Sequence, residues 1–219
     1  MNLFPDYFEF IFDLFLISVI MIAVIDYGAG NLRSITNACR FIGYGTELTK
    51  SPEDLNGANK IILPGVGNFG DAMEKLEPFR KIILEKIDDG VPFLGICLGI
   101  QLVLEESEEA TGTRGLCIFK GKCSRFQGVK VPHMGWNNIK IKNKDAAILK
   151  GIGDEFFYFV HSYYPKPDDE SIIAATTGYG IEFPSVIARD NAFACQFHPE
   201  KSGDAGLKLL KNFLKHETD

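Results

Sequence analysis

At 219 residues, with 46% hydrophobic and 24% charged positions, the chain is long enough for one domain with a continuous core and too apolar to be disordered. A formal net charge of −6 argues against nucleic acid as a partner, because phosphate binding needs a basic surface. The five cysteines, at positions 39, 97, 117, 123 and 195, are odd in number and form no CxxC pair, which favours a reducing cytoplasm over a disulfide framework.

Met1 to Ile20 is rich in Phe, Leu and Ile and runs straight into Met21-Ile22-Ala23-Val24-Ile25. Glu9 and Asp13 interrupt the apolar stretch, and no Lys or Arg precedes Arg33. A start-transfer helix normally carries positive charge at its cytoplasmic end, so a membrane role is disfavoured. Residues 1–20 read as an N-terminal extension outside the core, with the domain spanning 21–219. An extra helix or strand packed on that domain is the alternative.

From Met21 onward, short apolar runs alternate with helix-length segments. Ile22 to Asp26 reads as a buried strand, Tyr27-Gly28-Ala29-Gly30-Asn31 as a turn, and Leu32 to Ile42 as a helix. Thr46 to Thr49 is a second strand, and Ser51-Pro52-Glu53-Asp54 opens a helix with a capping residue and an early proline. Lys60 to Leu63 is a third strand, ended by Pro64-Gly65-Val66-Gly67-Asn68-Phe69-Gly70. Helical segments continue to Asp89, and the strand Phe93 to Ile96 follows. Strands that are continuous apolar runs, alternating with helices, indicate a mostly parallel sheet with helices on both faces.

The second half reads as added antiparallel strands, joining that sheet or forming a small second one. The strand-like runs are Cys117 to Phe126, Asn138 to Lys142, Phe156 to His161, Ile172 to Thr177, Ser185 to Arg189 and Ala192 to Phe197. Asp204 to His216 closes the chain as an amphipathic helix. No internal repeat or low-complexity linker divides it.

The chemistry concentrates at Pro92-Phe93-Leu94-Gly95-Ile96-Cys97-Leu98-Gly99-Ile100-Gln101. An apolar strand enters a turn flanked by Gly95 and Gly99, where side chains would obstruct a tight reversal. A cysteine at that apex is exposed to the N-terminal end of the next helix, which favours its thiolate. The Leu98 N–H would point to an oxyanion on an attacked carbonyl. Away from such a turn, a cysteine in an apolar run is most often a small buried hydrophobe.

A thiolate nucleophile needs a base and a group that orients the base. His198 is followed by Pro199 and Glu200 at the end of an apolar strand, whereas His133 and His161 have no following carboxylate and His216 lies in a terminal helix. Cys97, His198 and Glu200 are therefore the candidate triad. A structural His198 capping the strand is the plainer reading. A zinc site at Cys195-x-x-His198 lacks a second ligand pair, and no metal or cofactor is expected. The loop Pro64-Gly65-Val66-Gly67 has no following Lys-Ser/Thr and is not a P-loop, and Gly28-Ala29-Gly30 lacks the third glycine of a dinucleotide fingerprint.

Gly-Ile-Cys-Leu-Gly-Ile-Gln (95–101) with Phe-His-Pro-Glu (197–200) resembles the class I (triad) glutamine amidotransferases. Asp26 to Leu32, Leu63 to Gly70, Pro132-His133-Met134-Gly135-Trp136-Asn137 and His161-Ser162-Tyr163 narrow the resemblance to glutaminase subunits of imidazole glycerol phosphate synthase, in histidine biosynthesis. It covers Met21 to about His216, and the segment before Met21 departs from it. The resemblance implies that Cys97 attacks the glutamine side-chain amide, with His198 as base and Glu200 orienting it. It implies Val66 and Leu98 as backbone oxyanion donors, and Gly67, Gln101, Glu109, His161, Ser162 and Tyr163 as the glutamine grip. Composition alone would make Glu109, within Glu105-Glu106-Ser107-Glu108-Glu109, a solvated acidic helix end.

Ammonia released from glutamine is mostly protonated, hence non-nucleophilic, if it reaches neutral water. The resemblance accordingly implies a separate (β/α)8-barrel cyclase as heterodimeric partner. Asn31, His133, Met134, Trp136 and Lys201 are the candidate contact residues, with Trp136 equally readable as core. The rival readings are a glutaminase serving a different synthase, a non-catalytic subunit retaining the fold, and a cysteine γ-glutamyl hydrolase.

Overall fold

The computed structural model describes residues 20–217, so the reading of residues 1–20 as an extension lies, apart from exposed Ile20, outside the described residues. The first half alternates as expected: β1 (Ile22–Ile25), α1 (Leu32–Phe41), β2 (Glu47–Thr49), β3 (Lys60–Gly65), α2 (Phe69–Leu76), α3 (Arg80–Asp88), β4 (Phe93–Cys97) and α4 (Leu98–Leu102). The second half carries β5 (Glu106–Ser107), β6 (Gly121–Arg125), β7 (His133–Asn138), β8 (Lys140–Ile141), β9 (Phe156–His161), β10 (Tyr163–Pro167), β11 (Ile173–Tyr179), β12 (Ile181–Arg189), β13 (Ala192–Cys195) and α5 (Gly203–Lys215).

Eight strands form one sheet in the order β2-β1-β3-β4-β13-β12-β11-β8. The first five of these run parallel, and β12, β11 and β8 continue antiparallel from β13. Both options left open for the second half are realised, because β10-β6-β5 and β7-β9 make two further small sheets.

Continuous apolar runs follow from a sheet covered on both faces, where successive side chains enter opposite cores. Ile22, Val24, Ile62, Leu94 and Ile96 pack with Ile35 and Cys39 of α1 and Leu209, Leu210, Phe213 and Leu214 of α5. Ala23, Ile25, Ile61, Leu63 and Phe93 pack on the other face with Phe69, Met73 and Leu76 of α2 and Ile83 of α3. Each fully buried Leu or Phe here contributes about 1.5–3 kcal/mol, so the two layers fix the sheet rigidly under its loops.

Several expected boundaries shift. The run Ser51-Pro52-Glu53-Asp54 forms one 3-10 turn, Pro52–Leu55, in which Asp54 Oδ2 accepts from the backbone N–H groups of Lys50 and Ser51. The expected strand over Asn138 to Lys142 is instead split between β7, which starts at His133, and the short β8. Strand β10 contains Pro165 and Pro167, which read as turn residues in sequence. It pairs only with β6 and so tolerates missing donors on its other side.

Candidate active site

Parallel pairing places the carboxyl ends of β1, β3, β4 and β13 along one edge of the sheet. Loops leaving those ends converge there, as sites do in open α/β sheets. Cys97 ends β4 and immediately precedes α4, with φ 57° and ψ −101°. This left-handed conformation is costly for a residue with a Cβ and marks a backbone held by its surroundings.

The surroundings explain both glycines. A Cβ on Gly95 would lie 2.9 Å from the Gly99 carbonyl group, and one on Gly99 would lie 2.5 Å from the Leu63 carbonyl oxygen. Strand and helix therefore approach too closely for any side chain at either place. Gln196, fully buried after β13, donates from Nε2 to the Cys97 carbonyl at 3.4 Å and so ties the turn to the neighbouring strand.

His198 and Glu200 follow β13 around the 3-10 turn Pro199–Lys201. His198 Nδ1 lies 2.8 Å from Glu200 Oε1, with both side chains under 5% exposed (3% and 4%). The main chain of His198 is held on both sides: its backbone N–H donates to the Tyr158 carbonyl, and Ser202 Oγ donates to its carbonyl at 2.6 Å. Nδ1 being engaged, Nε2 is the nitrogen that addresses Cys97; it is buried without a well-formed hydrogen bond. The Cys97 sulfur rests instead against the Val160 carbonyl at 3.7 Å. Burial alone would push the His198 imidazole down, but interaction with Cys97 and Glu200 outweighs it and holds the pKa up at about 9.

A cleft of about 330 Å³ opens beside the sulfur. Cys97, Val66, Leu98 and all six expected substrate residues, Gly67, Gln101, Glu109, His161, Ser162 and Tyr163, line it together with Pro132 and Val160. Gly67 has φ +107°, which requires glycine. Gln101 Nε2 donates to the Tyr163 carbonyl at 3.3 Å, while its Oε1 is buried without a protein partner.

Glu109 is not a solvated helix end. It sits in the turn after β5, and its Oε2 accepts from the Phe69 N–H at 2.8 Å, at the start of α2. This cap brings the carboxylate from a charged run to the cleft wall.

The expected contact residues separate into two groups. Met134 and Trp136, alternating along β7, are 62% and 57% exposed, so Trp136 is not core, and Val66 at the cleft is 42% exposed. Lys201 is exposed, and Asn31 is an exposed cap whose Oδ1 accepts from the Ser34 N–H at 3.3 Å. His133 departs from expectation. It points inward, 4% exposed, stacked against Tyr179 and Phe159. The strand's period of two explains this, since Met134 and Trp136 must then face outward.

Sequence reasoning missed Gln196, Ser202 and Tyr27. Gln196 was visible as a polar residue inside the apolar run Cys195 to Phe197. Ser202 had no signal, because its role depends on Tyr158, distant in sequence. Tyr27 has a buried hydroxyl that burial, with Cys97 nearby, pushes well above the usual phenol range. Among the described residues no group of three or more His, Cys, Asp and Glu side chains could hold a metal ion, and no helix is long and apolar enough to cross a membrane.

A strained cysteine at a strand–helix turn, with a buried His–carboxylate pair beside it, has the geometry of a nucleophile elbow. The chain belongs to the class-I glutamine amidotransferase family, whose sequence profile matches residues 23–216. Among curated proteins it is 54% identical over 197 residues to imidazole glycerol phosphate synthase subunit HisH of Methanocaldococcus jannaschii, covering 89% of this chain and 99% of that protein. The protein of the same name from Pyrococcus furiosus is 50% identical, over 89% of this chain and 98% of its own length. Among solved structures, a glutamine amidotransferase aligns with TM-score 0.72 at 18% identity, over 89% of this chain and 97% of that one. PurLQS from Thermotoga maritima aligns with TM-score 0.74, also at 18% identity, with 89% and 97% covered. At that identity the structural likeness speaks for the fold alone.

Proposed function

We propose that this chain is the glutaminase subunit of an imidazole glycerol phosphate synthase, releasing ammonia from glutamine for histidine biosynthesis. The observation that carries the reading is one cleft in which Cys97, addressed by the buried His198–Glu200 pair, meets the whole expected glutamine grip. The relatives at 50–54% identity supply the acceptor chemistry.

The steps follow from the groups present. Cys97 Sγ gives its proton to His198 Nε2 and attacks the side-chain amide carbon, placing charge on the amide oxygen. Val66 and Leu98 backbone N–H groups receive that charge at the mouth of the elbow. His198 protonates the leaving nitrogen, ammonia departs, and a thioester remains. The same imidazole then takes a proton from water, whose oxygen attacks the thioester, and glutamate leaves as the thiol is restored. Glu200 holds Nδ1–H, keeps the reactive nitrogen aimed at sulfur and stabilises the imidazolium. Gln101 Oε1 and the Glu109 carboxylate offer acceptors for the α-ammonium group of glutamine.

Ammonia must reach its acceptor before water protonates it. The partner in this reading is a separate (β/α)8-barrel cyclase, docked over the exposed residues Asn31, Met134, Trp136 and Lys201. The amidotransferase domain is taken as 21–219, with 1–20 an extension to it. Deleting residues 2–20 should leave glutamine hydrolysis intact.

The deciding experiment mixes the chain with its cognate barrel subunit and follows product formation from glutamine and from ammonium salt. Cys97→Ala should lose the first and keep the second. A mutant complex that still consumes glutamine removes Cys97 from the reaction, and preferred cleavage of a γ-glutamyl peptide would instead indicate a hydrolase.

A further inference from the structure

The reaction as written makes no use of Pro132-His133-Met134-Gly135-Trp136-Asn137 on its inner side, yet a buried histidine sits there. His133 and His161 stand directly opposite each other in the β7–β9 register. Their rings meet edge-on, with His133 Nδ1 3.0 Å from His161 Nε2. His161 Nδ1 lies 2.7 Å from the Tyr163 carbonyl oxygen.

The proton positions follow from these contacts. A carbonyl oxygen only accepts, so His161 Nδ1 carries a hydrogen. In the neutral ring Nε2 is then an acceptor, and His133 must donate to it from Nδ1. His133 Nε2 is left as an acceptor, 3.2 Å from the Asn137 amide nitrogen, which also donates to the Gly178 carbonyl at 3.0 Å. One direction runs through the set: Asn137 to His133 to His161 to Tyr163.

The environment keeps both rings neutral. Stacking against Tyr179 at 4.0 Å and Phe159 at 5.0 Å, and Phe126 packed near both rings, offers no anion to stabilise an imidazolium. Burial pushes His133 down to about 4 and His161 down to about 3. Both ring nitrogens of His161 are spent on protein partners, so its side chain has no hydrogen bond left for a substrate.

We propose that His133 is a positioning residue for glutamine binding: its Nδ1–H locks His161 in one tautomer, and His161 fixes the Tyr163 carbonyl that orients the cleft wall. This rests on the glutaminase reading. The Tyr163 carbonyl also receives Gln101 Nε2, so the same oxygen sets which face of the Gln101 amide is left to the substrate. Because β7 carries Met134 and Trp136 on its outward side, the relay joins the cleft wall to the strand at the partner face.

The test compares wild-type complex with His133→Leu and His133→Asn, and reads the two imidazole tautomers of the wild-type chain by long-range nitrogen–proton NMR. His133→Leu should raise the KM for glutamine about tenfold, the scale of one buried hydrogen bond and its orphaned partner. Its kcat should fall less than KM rises, and His133→Asn, which keeps an N–H donor, should restore most of the affinity. Both wild-type rings should be protonated at Nδ1 alone. An unchanged KM in His133→Leu, or loss of thermal stability with no KM change, overturns the proposal. A ring protonated at Nε2 overturns it on the wild-type protein, with no variant needed. A wild-type complex inert toward glutamine would instead sink the glutaminase reading, and the tautomers would still judge the relay.

Discussion

The wall carrying Cys97 and His198 and the wall carrying the pair His133–His161 hold comparably deep imidazoles, at 2%, 4% and 6% exposure, yet these shift in opposite directions. Burial disfavours the imidazolium at all three. On the first wall Cys97 and Glu200 reverse that penalty and hold His198 at about 9. On the second, the two rings meet each other, with an amide on His133 and a carbonyl on His161, and they fall to about 4 and about 3. The comparison teaches that depth sets how much a neighbour matters, while the neighbour's chemistry sets the sign. One wall can take up and return a proton; the other can only hold a fixed hydrogen-bond pattern.

The comparison breaks most completely at Cys97. Cys97→Ala should abolish glutamine hydrolysis and, by removing one of the two groups that hold His198 up, lower the His198 pKa from about 9 in an NMR titration. A pKa that does not move would show the sulfur is not part of the proton balance. Next in size, Glu200→Gln should cut turnover by about 10²–10⁴-fold and bring the His198 pKa down as well, making the first wall resemble the second. Unaltered rates would reduce Glu200 to a structural role.

A smaller effect is expected at Gln196. Gln196→Leu removes the side-chain hydrogen bond to the Cys97 carbonyl, which still caps the following helix, and should destabilise the fold by about 0.5–1.5 kcal/mol, measured by urea unfolding, with turnover falling as the elbow loosens. Unchanged stability would mean that the elbow's conformation is set by the glycines alone.

The mildest probe is pH. His133 and His161 have native pKa values below the unfolded value of about 6.5, so the unfolded chain binds more protons in that range. Their contribution is complete above about 6.5 and is lost as pH falls toward about 4 and about 3. His198 has the opposite sign: its raised pKa stabilises fully below about 6.5 and is lost as pH rises through about 9. Urea midpoints across this range should fall on both sides of neutrality. His133→Gln should soften the acid limb alone.

Much of this was written in the chain. Continuous apolar runs identified β1, β3, β4 and β13, because a strand buried on both faces has no polar side to confuse the pattern. Gly95 and Gly99 around Cys97, and Pro199 between His198 and Glu200, announced the elbow and its partner, because those residue types answer local backbone demands. What remained hidden depended on contacts between distant segments. Strands β7 and β10, with their glycine and prolines, become strands only through pairing with β9 and β6. Glu109 leaves its acidic run because the Phe69 N–H draws it to the cleft. His133 turns inward because Met134 and Trp136 take the outer face of β7, and whether a buried imidazole is charged or neutral is decided by groups that only folding brings beside it.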